Sequence, residues 1–338
     1  MLRVLEARNF PVSELHLFAS ERSVGKPLSF RDSPIAIEPL TARSFEPLDL
    51  ALFSAGSEIS KQWRGAAHGA GCVMIDNSSA FRMEPGVPLV IPEINADDLN
   101  AHQGVIAVPN CSTIVMLMAV APLRAFGKIK RIVVSTYQAV SGAGAKAMQE
   151  LETQAHQYLH GKPIEPAIFP HPIAFNLFCH NTAINEAGYN GEEWKMIQET
   201  KKILHDDDIQ VTATCVRVPI FRAHSESINI EFDEPPTFQG VADDRSSRGW
   251  SRPSVEEIRS ALAAFPGVKV VDDRATLHFP MPNEATGEFD VLAGHIRHDV
   301  SNPRAVDLFV SGDQLLKGAA LDAVQIAESL AEQNLLRH

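Results

Sequence analysis

The chain has 338 residues, 45% hydrophobic and 21% charged, which is long enough for two domains with cores of their own and too apolar for a disordered chain. A formal net charge of −12 excludes general nucleic-acid binding, which rests on counterion release by basic patches. It does not exclude small anionic ligands held by local cations. No apolar run approaches the ~20 residues of a membrane span, and the opening MLRVLEARNF lacks the apolar core of a signal peptide. Cys72, Cys111, Cys179 and Cys215 are widely spaced with no C-x-x-C pair, so they read as reduced thiols and the cytoplasm is the expected location.

The first residues carry a helical pattern (Leu2, Val4, Leu5), and residues 14–20, 35–40, 49–56, 71–78 and 105–110 then read as strands. Runs such as LALFSAG and CVMID are continuously apolar, as strands covered on both faces by helices are. Turn clusters at 23–27 and 77–79 follow strand ends, which predicts a doubly wound parallel sheet binding ligands beyond the carboxyl ends of its strands. Such a domain normally opens with a strand and a glycine-rich turn, and none precedes this first helix; the SGAG run at 141–144 lies too far along to replace it. From Cys111 the character changes. An apolar helix at 112–126 leads to a strand at 131–140, a polar helix at 145–160 and an irregular stretch at 161–180. A helix at 192–204 and strands at 211–218 and 227–232 follow, then a helix to residue 265 opened by a Ser254/Glu257 capping box. Late strands are expected at 289–298 and 306–310, and a terminal amphipathic helix at 314–335.

Cys111, in Pro109-Asn110-Cys111-Ser112-Thr113, stands between an apolar strand and an apolar helix. A helix N-terminus stabilises a thiolate, so a nucleophile and a buried small hydrophobe are both open readings. His224 is the best-placed of thirteen histidines to carry its proton, at a strand boundary with polar residues after it; a loop histidine is the alternative. His156 and His160 have i, i+4 spacing but no third ligand, and no metal site is predicted. Glu192 and Lys195 share a helix face and could meet one ligand or simply each other. Arg22, in Ser20-Glu21-Arg22-Ser23 after the first strand, suits a nucleotide 2′-phosphate.

These pieces occur in the order of one family. The chain resembles aspartate-semialdehyde dehydrogenases over essentially its whole length, through FPVSELHLFASERSVGK, ALFSAGSE, VMIDNSSAFRM, PLVIPEIN, IAVPNCST, VSTYQAVSGAG, EEWKMIQETKKI, RVPIFRAHSES and GDQLLKGAALDAVQIAE. PNCST, TYQAVSGAG and the Arg217-x6-His224 spacing are the most specific. The resemblance implies a Rossmann-like α/β domain over 1–110 with 311–338. An α/β catalytic and dimerisation domain of the glyceraldehyde-phosphate-dehydrogenase type would span 111–310.

It further implies Cys111 as nucleophile, His224 as acid/base and Gln138 as orienting residue. Arg217 would pair with the substrate carboxylate, Glu192 lie near its amino end, and Arg82 and Lys195 grip the phosphate, assisted by Asn110. Ser20, Arg22 and Ser23 would take the 2′-phosphate, implying NADP, with Ala55, Gly56, Asn77, Ser141, Gly142 and Gln314 as further cofactor contacts. The implied reaction is NADPH-dependent reduction of L-4-aspartyl phosphate to the semialdehyde through a cysteine thioester, in a homodimer, without nucleic acid or membrane. Alternatives are an N-acetyl-glutamyl-phosphate reductase, whose cysteine and histidine contexts differ, and an inactive truncated homologue serving as a binding or dimerisation subunit. Two departures stand out. The family begins with a strand and a GATGAVG-like loop ahead of the segment that starts here at Met1, so about fifteen residues that bind the pyrophosphate are expected to be lacking. FNLFCHNTAIN, residues 175–185, differs from the usual FN-x-I-P stretch and leaves that loop's contacts unassigned.

Overall fold

The structure is a computed structural model describing residues 1–233 and 253–336. The chain forms two compact units, Met1–Pro109 with Ala319–His338, and Asn110–Gly318. Among the described residues no helix is long and apolar enough to cross a membrane.

The first unit is α/β. It runs α1 (Leu2–Ala7), β1 (Leu17–Ala19), β2 (Pro27–Phe30), β3 (Ser33–Pro39), β4 (Leu50–Phe53), α2 (Ser57–Gly69), β5 (Val73–Asp76), α3 (Pro92–Asn95) and β6 (Val105–Ala107), and closes with the terminal helix Leu321–Glu332. Strands β4, β5 and β6 lie parallel in that order, and α2 and the terminal helix both pack on β5. That cover explains why every residue of β5 is buried and why its sequence is an unbroken apolar run up to Asp76. The remaining strands form a separate sheet, β1 parallel to β3 and β2 antiparallel to β3. Strand β2 has no counterpart in the sequence reading. Its hairpin turns on Arg31 and Asp32, both at positive φ (46° and 61°), without the Asn-Gly or Asp-Gly signal such turns normally show. Arg31 is held by its backbone N–H to Glu6 Oε1 (2.5 Å) and its Nη2 to the Phe10 carbonyl (2.7 Å), which ties the hairpin to α1.

The second unit is built on one mixed seven-stranded sheet. Its elements are α4 (Cys111–Val120), β7 (Ile129–Gln138), α5 (Ala145–Leu159), β8 (Phe178–Cys179), α6 (Gly191–Leu204), β9 (Gln210–Arg217) and β10 (His224–Phe232), then α7 (Val255–Ala264), β11 (Val268–Val270), α8 (Pro282–Ala285), β12 (Val291–His298) and β13 (Ala305–Gly312). The strand order is β11-β12-β13-β10-β7-β9-β8. Helix α4 is apolar all round and buried from Ser112 to Val120, as a helix packed against β10, β12, β13 and α6 must be. Strand β7 alternates buried and partly exposed residues and so presents Thr136 and Gln138 to the core face. The expected helix at 112–126 ends at Val120 and tightens into a 3-10 turn over Ala121–Phe126, where Pro122 removes a donor. The expected strand at 227–232 begins three residues earlier, at His224 itself. The expected helix at 314–335 is interrupted: a π-turn over Leu316–Ala320 precedes the α-helix.

Candidate active site

Helix α4 places Cys111 at its first position, half-buried, with Asn110 as N-cap. Asn110 Oδ1 accepts from the Ser112 and Thr113 amides (3.0 and 3.2 Å), and Nδ2 donates to Glu192 Oε1 (2.7 Å). Its own N–H donates to Glu199 Oε2 (2.6 Å). Two glutamates of α6 therefore fix the turn that carries the cysteine. Glu192 is buried, which favours its neutral form, yet the Lys195 charge and the Asn110 hydrogen bond outweigh burial and hold its pKa at about 2. Lys195 Nζ lies 3.0 Å from Glu192 Oε2, so the two side chains meet on one face of α6. Gly318 approaches Cys111 closely enough that a Cβ there would stand 2.7 Å from the Cys111 Cβ.

The core face of the sheet supplies the rest of this unit's site. Gln138, at the end of β7, donates through Nε2 to Ser112 Oγ (2.8 Å). Arg217 pairs with Gln138 across the parallel ladder; its Nη1 donates to the Ala139 carbonyl (2.6 Å) and its Nη2 to His180 Nε2 (2.9 Å). The Ala139 N–H in turn donates to His224 Nδ1 (3.1 Å). An amide can only donate, so the neutral His224 ring carries its proton on Nε2. Burial first, then the Arg217 charge, push the His224 pKa down to about 3. Gly142 lies over both groups: a Cβ there would be 3.3 Å from Arg217 Nη1 and 3.4 Å from His224 Nε2. Gln314 accepts from the Ala223 N–H (3.0 Å) and donates to Ser141 Oγ, and so clamps Ala223, a non-glycine at φ 71° immediately before His224.

Within the first unit, Gly56 (φ 90°) is the N-cap of α2, with Ala55 exposed beside it, so bare backbone amides face outward there as a phosphate site requires. Asn77 donates to the Phe53 carbonyl (3.0 Å), and its buried Oδ1 has no partner among the described residues. Ser20, Arg22 and Ser23 follow β1 at the surface in a 3-10 turn. An orphaned acceptor, open amides and a surface guanidinium flanked by hydroxyls fit a phosphorylated dinucleotide. Arg82 is buried, its Nε and Nη2 donating to the Val108 and Asn77 carbonyls (both 2.9 Å). No group of three or more His, Cys, Asp or Glu side chains among the described residues is placed to hold a metal.

Comparison with known proteins decides the family. A family model described as "Semialdehyde dehydrogenase, NAD binding domain" matches residues 1–102, and one described as "Semialdehyde dehydrogenase, dimerisation domain" matches 120–317. The aspartate-semialdehyde dehydrogenase of Synechocystis sp. is 50% identical over 336 residues, covering 99% of this chain and 94% of its own length. That of Prochlorococcus marinus is 48% identical, covering 98% of this chain and 91% of its own length. The solved structure of aspartate semialdehyde dehydrogenase II from Vibrio cholerae superposes with a TM-score of 0.90 at 39% identity, over 98% of this chain and 94% of that one.

The chain belongs to the aspartate-semialdehyde dehydrogenase family.

The expectation that a first strand and glycine-rich loop are lacking is not borne out, since the NAD-binding-domain model matches from residue 1. For a member of the aspartate-semialdehyde dehydrogenase family, three residues that contact candidate site residues or end a strand, two in the second unit and one in the first, carry no motif that sequence reasoning could use. Glu199 lies two helical turns beyond Glu192, on the same face of α6, and reads as an ordinary surface helix residue. Asp76, fully buried, gathers Ser60 Oγ, Ser78 Oγ and the Ser78 amide at the end of β5. His180 comes from the stretch 175–185, whose contacts the sequence reading left unassigned, and contacts Arg217.

Proposed function

We propose that the chain reduces L-4-aspartyl phosphate to L-aspartate 4-semialdehyde with NADPH, the step that feeds lysine, threonine and methionine biosynthesis. The observation that carries the reading is a half-buried cysteine at a helix N-terminus, on the same unit as an arginine within Coulombic reach of its thiolate and a neutral, donor-poised histidine. Cys111 Sγ attacks the acyl carbon, a C–S bond forms, and the C–O bond to phosphate breaks with its electron pair leaving on phosphate. NADPH, when bound, supplies the hydride that reduces the resulting thioester. The C–S bond then breaks as the carbonyl re-forms, and the thiolate returns to Cys111.

The protein's part is electrostatic and positional. Arg217 offers a planar fork to the substrate carboxylate, and the ionised Glu192 faces its amino end. With Nδ1 occupied by the Ala139 amide, His224 does its acid–base work as a donor from Nε2, toward the carbonyl oxygen where negative charge develops. Gln138, bonded to Ser112 beside the nucleophile, orients the acyl group. Arg82 and Lys195, with Asn110 between the capped amides and Glu192, are assigned to the phosphate. Ser20, Arg22 and Ser23 are assigned to the NADP 2′-phosphate, and Ala55, Gly56, Asn77, Ser141, Gly142 and Gln314 to the rest of the cofactor. The first unit is the NADP-binding domain and the second the catalytic and dimerisation domain of a homodimer, with the return to the first unit falling after Gly318 and not at 310, since β13 and Gln314 belong to the second. A cytoplasmic location is supported by the absence of any disulfide among the four cysteines.

Phosphate-dependent reduction of NADP by aspartate semialdehyde tests the reading. The chain is expected to turn over, to ignore N-acetylglutamate semialdehyde, and to lose about 10³-fold or more in kcat on Cys111→Ala. Undiminished activity in C111A would end the thioester mechanism, and a preference for the N-acetylated substrate would transfer the chain to the sister reaction.

A further inference from the structure

The sequence leaves the contacts of residues 175–185 unassigned, and the structure gives one of them a defined place. His180 follows the two-residue strand β8 at the edge of the sheet, its N–H bonded to the Cys215 carbonyl (2.8 Å), which leaves its ring beside Arg217. The directions of the bonds around that ring are fixed by chemistry. Arg217 Nη2 can only donate, so His180 Nε2 accepts. A neutral ring accepting at Nε2 carries its proton on Nδ1, and Nδ1 faces Thr182 Oγ1 at 3.3 Å. Thr182 Oγ1 also accepts from the Glu192 N–H (3.2 Å), at the start of α6. Donation therefore runs outward from Arg217, through His180 to the Thr182 hydroxyl on one side and to the Ala139 carbonyl on the other, and the N–H of that same Ala139 donates to His224 Nδ1.

We propose that His180 is a positioning residue which, as a neutral acceptor at Nε2, aims the Arg217 guanidinium at the substrate carboxylate. The inference rests on the functional reading above, in which Arg217 binds that carboxylate. Two acceptors, the Ala139 carbonyl oxygen and the lone pair of His180 Nε2, hold Nη1 and Nη2, while the buried Nε has no partner among the described residues. Removal of His180 leaves the fork held by a single hydrogen bond, at Nη1, and by the face of Phe169 (5.7 Å from the guanidinium carbon to the ring centroid), and so freer to turn. Protonation of His180 has the same effect, because the acceptor becomes a donor beside a like charge. The titratable groups facing the ring are Arg217 from β9, His224 from β10, and Glu192, Glu193 and Lys195 from α6. Burial lowers the His180 pKa first, Glu192 opposes it, and Arg217 and Lys195 reinforce it, so the ring stays neutral at neutral pH.

The test compares the full wild-type chain with His180→Ala and His180→Gln, because a glutamine amide oxygen can accept from Arg217 but does not titrate. H180A is expected to raise the KM for aspartate semialdehyde about 10-fold or more while leaving the KM for NADP within about twofold, a split that a general structural lesion would not produce. H180Q is expected to restore the semialdehyde KM and to move the acid limb of kcat/KM to lower pH. An unchanged semialdehyde KM in H180A, or equal losses in both KM values without rescue by glutamine, overturns the proposal. Nitrogen-15 spectra of histidine-labelled wild-type chain give an independent reading. The Nδ1–H tautomer of His180 is expected near neutral pH, and an Nε2–H tautomer or a charged ring overturns the positioning role. If the wild-type chain fails to turn over the semialdehyde, the functional reading has failed and this spectrum alone decides how His180 meets Arg217.

Discussion

Burial and the Arg217 charge leave His224 with one favoured state, the neutral ring, and that has a thermodynamic consequence. In the unfolded chain the imidazole takes a proton near its ordinary value of 6.5, whereas in the folded chain it waits until about 3. Between these values the unfolded state binds the extra proton, so stability contributed by this group is fully present above pH 6.5 and is lost as pH falls through the window. Denaturant midpoints measured from pH 6.5 down to about 5 are expected to fall more steeply for wild type than for His224→Asn, by a slope approaching one proton. Identical slopes would mean that the ring is not shielded as described. Two buried carboxylates show the same rule with opposite outcomes. Glu192 is ionised because the Lys195 charge and the Asn110 hydrogen bond overcome burial. Glu226, on the same face of β10 as His224, has no hydrogen-bond partner among the described residues, and burial alone pushes its pKa well above the carboxylate range.

The elements that carry the site are fixed at their ends. Helix α6 starts with a reciprocal capping box: Asn190 Oδ1 accepts from the Glu192 and Glu193 amides (3.1 and 3.0 Å), and Glu193 Oε2 accepts from the Asn190 N–H (2.9 Å). The other Glu193 oxygen receives the Cys215 amide of β9, so the cap also locks the helix to the sheet. Asn190→Ala is expected to cost about 1–2 kcal/mol in equilibrium urea unfolding and, by loosening Glu192, to raise the semialdehyde KM. A cap that contributed only locally would change stability and leave KM alone. The two helix starts were not equally legible. Ser254 and Glu257 spell the S-x-x-E signature and do form the box, whereas Asn190 with Glu193 does the same work through an N-x-x-E version. Helix α4 and strand β5 could be read because each is apolar on every side that packing covers. Strands β2, β8 and β11 and helix α8 could not, being two to four residues long with no room for a period to show. Asn110 shows a subtler limit. Sequence places it beside the nucleophile, but its double duty as N-cap and as donor to Glu192 depends on α6, where Glu192 lies 82 residues downstream along the chain.

Across the second unit, the two-residue period of the sheet separates two tasks. On β7, Gln138 points to the core face with Arg217 and His224, while its neighbour Tyr137 points the other way and is 37% exposed. Tyr137 stands beside Phe309 of β13 with ring centroids 6.1 Å apart, so the outward face of the central strands carries an aromatic pair amid Ser227, Asn229 and Thr214. An aromatic pair ringed by short polar side chains has the composition of an interface core and rim, and the dimerisation-domain model spans both aromatic residues. The proposed homodimer is therefore expected to bury this face. Tyr137→Glu would place a charge at the centre of the contact and should sediment as a monomer at concentrations where wild type runs at twice the chain mass, while Tyr137→Phe keeps the wild-type state. Because Gln138 is the next residue on the same strand, the monomeric variant should also lose kcat about 10-fold as the end of β7 loosens, without a matching loss in NADP affinity. A Y137E protein that stays dimeric would move the interface to another surface, and one that is monomeric yet fully active would show that the sheet holds its catalytic face without a partner.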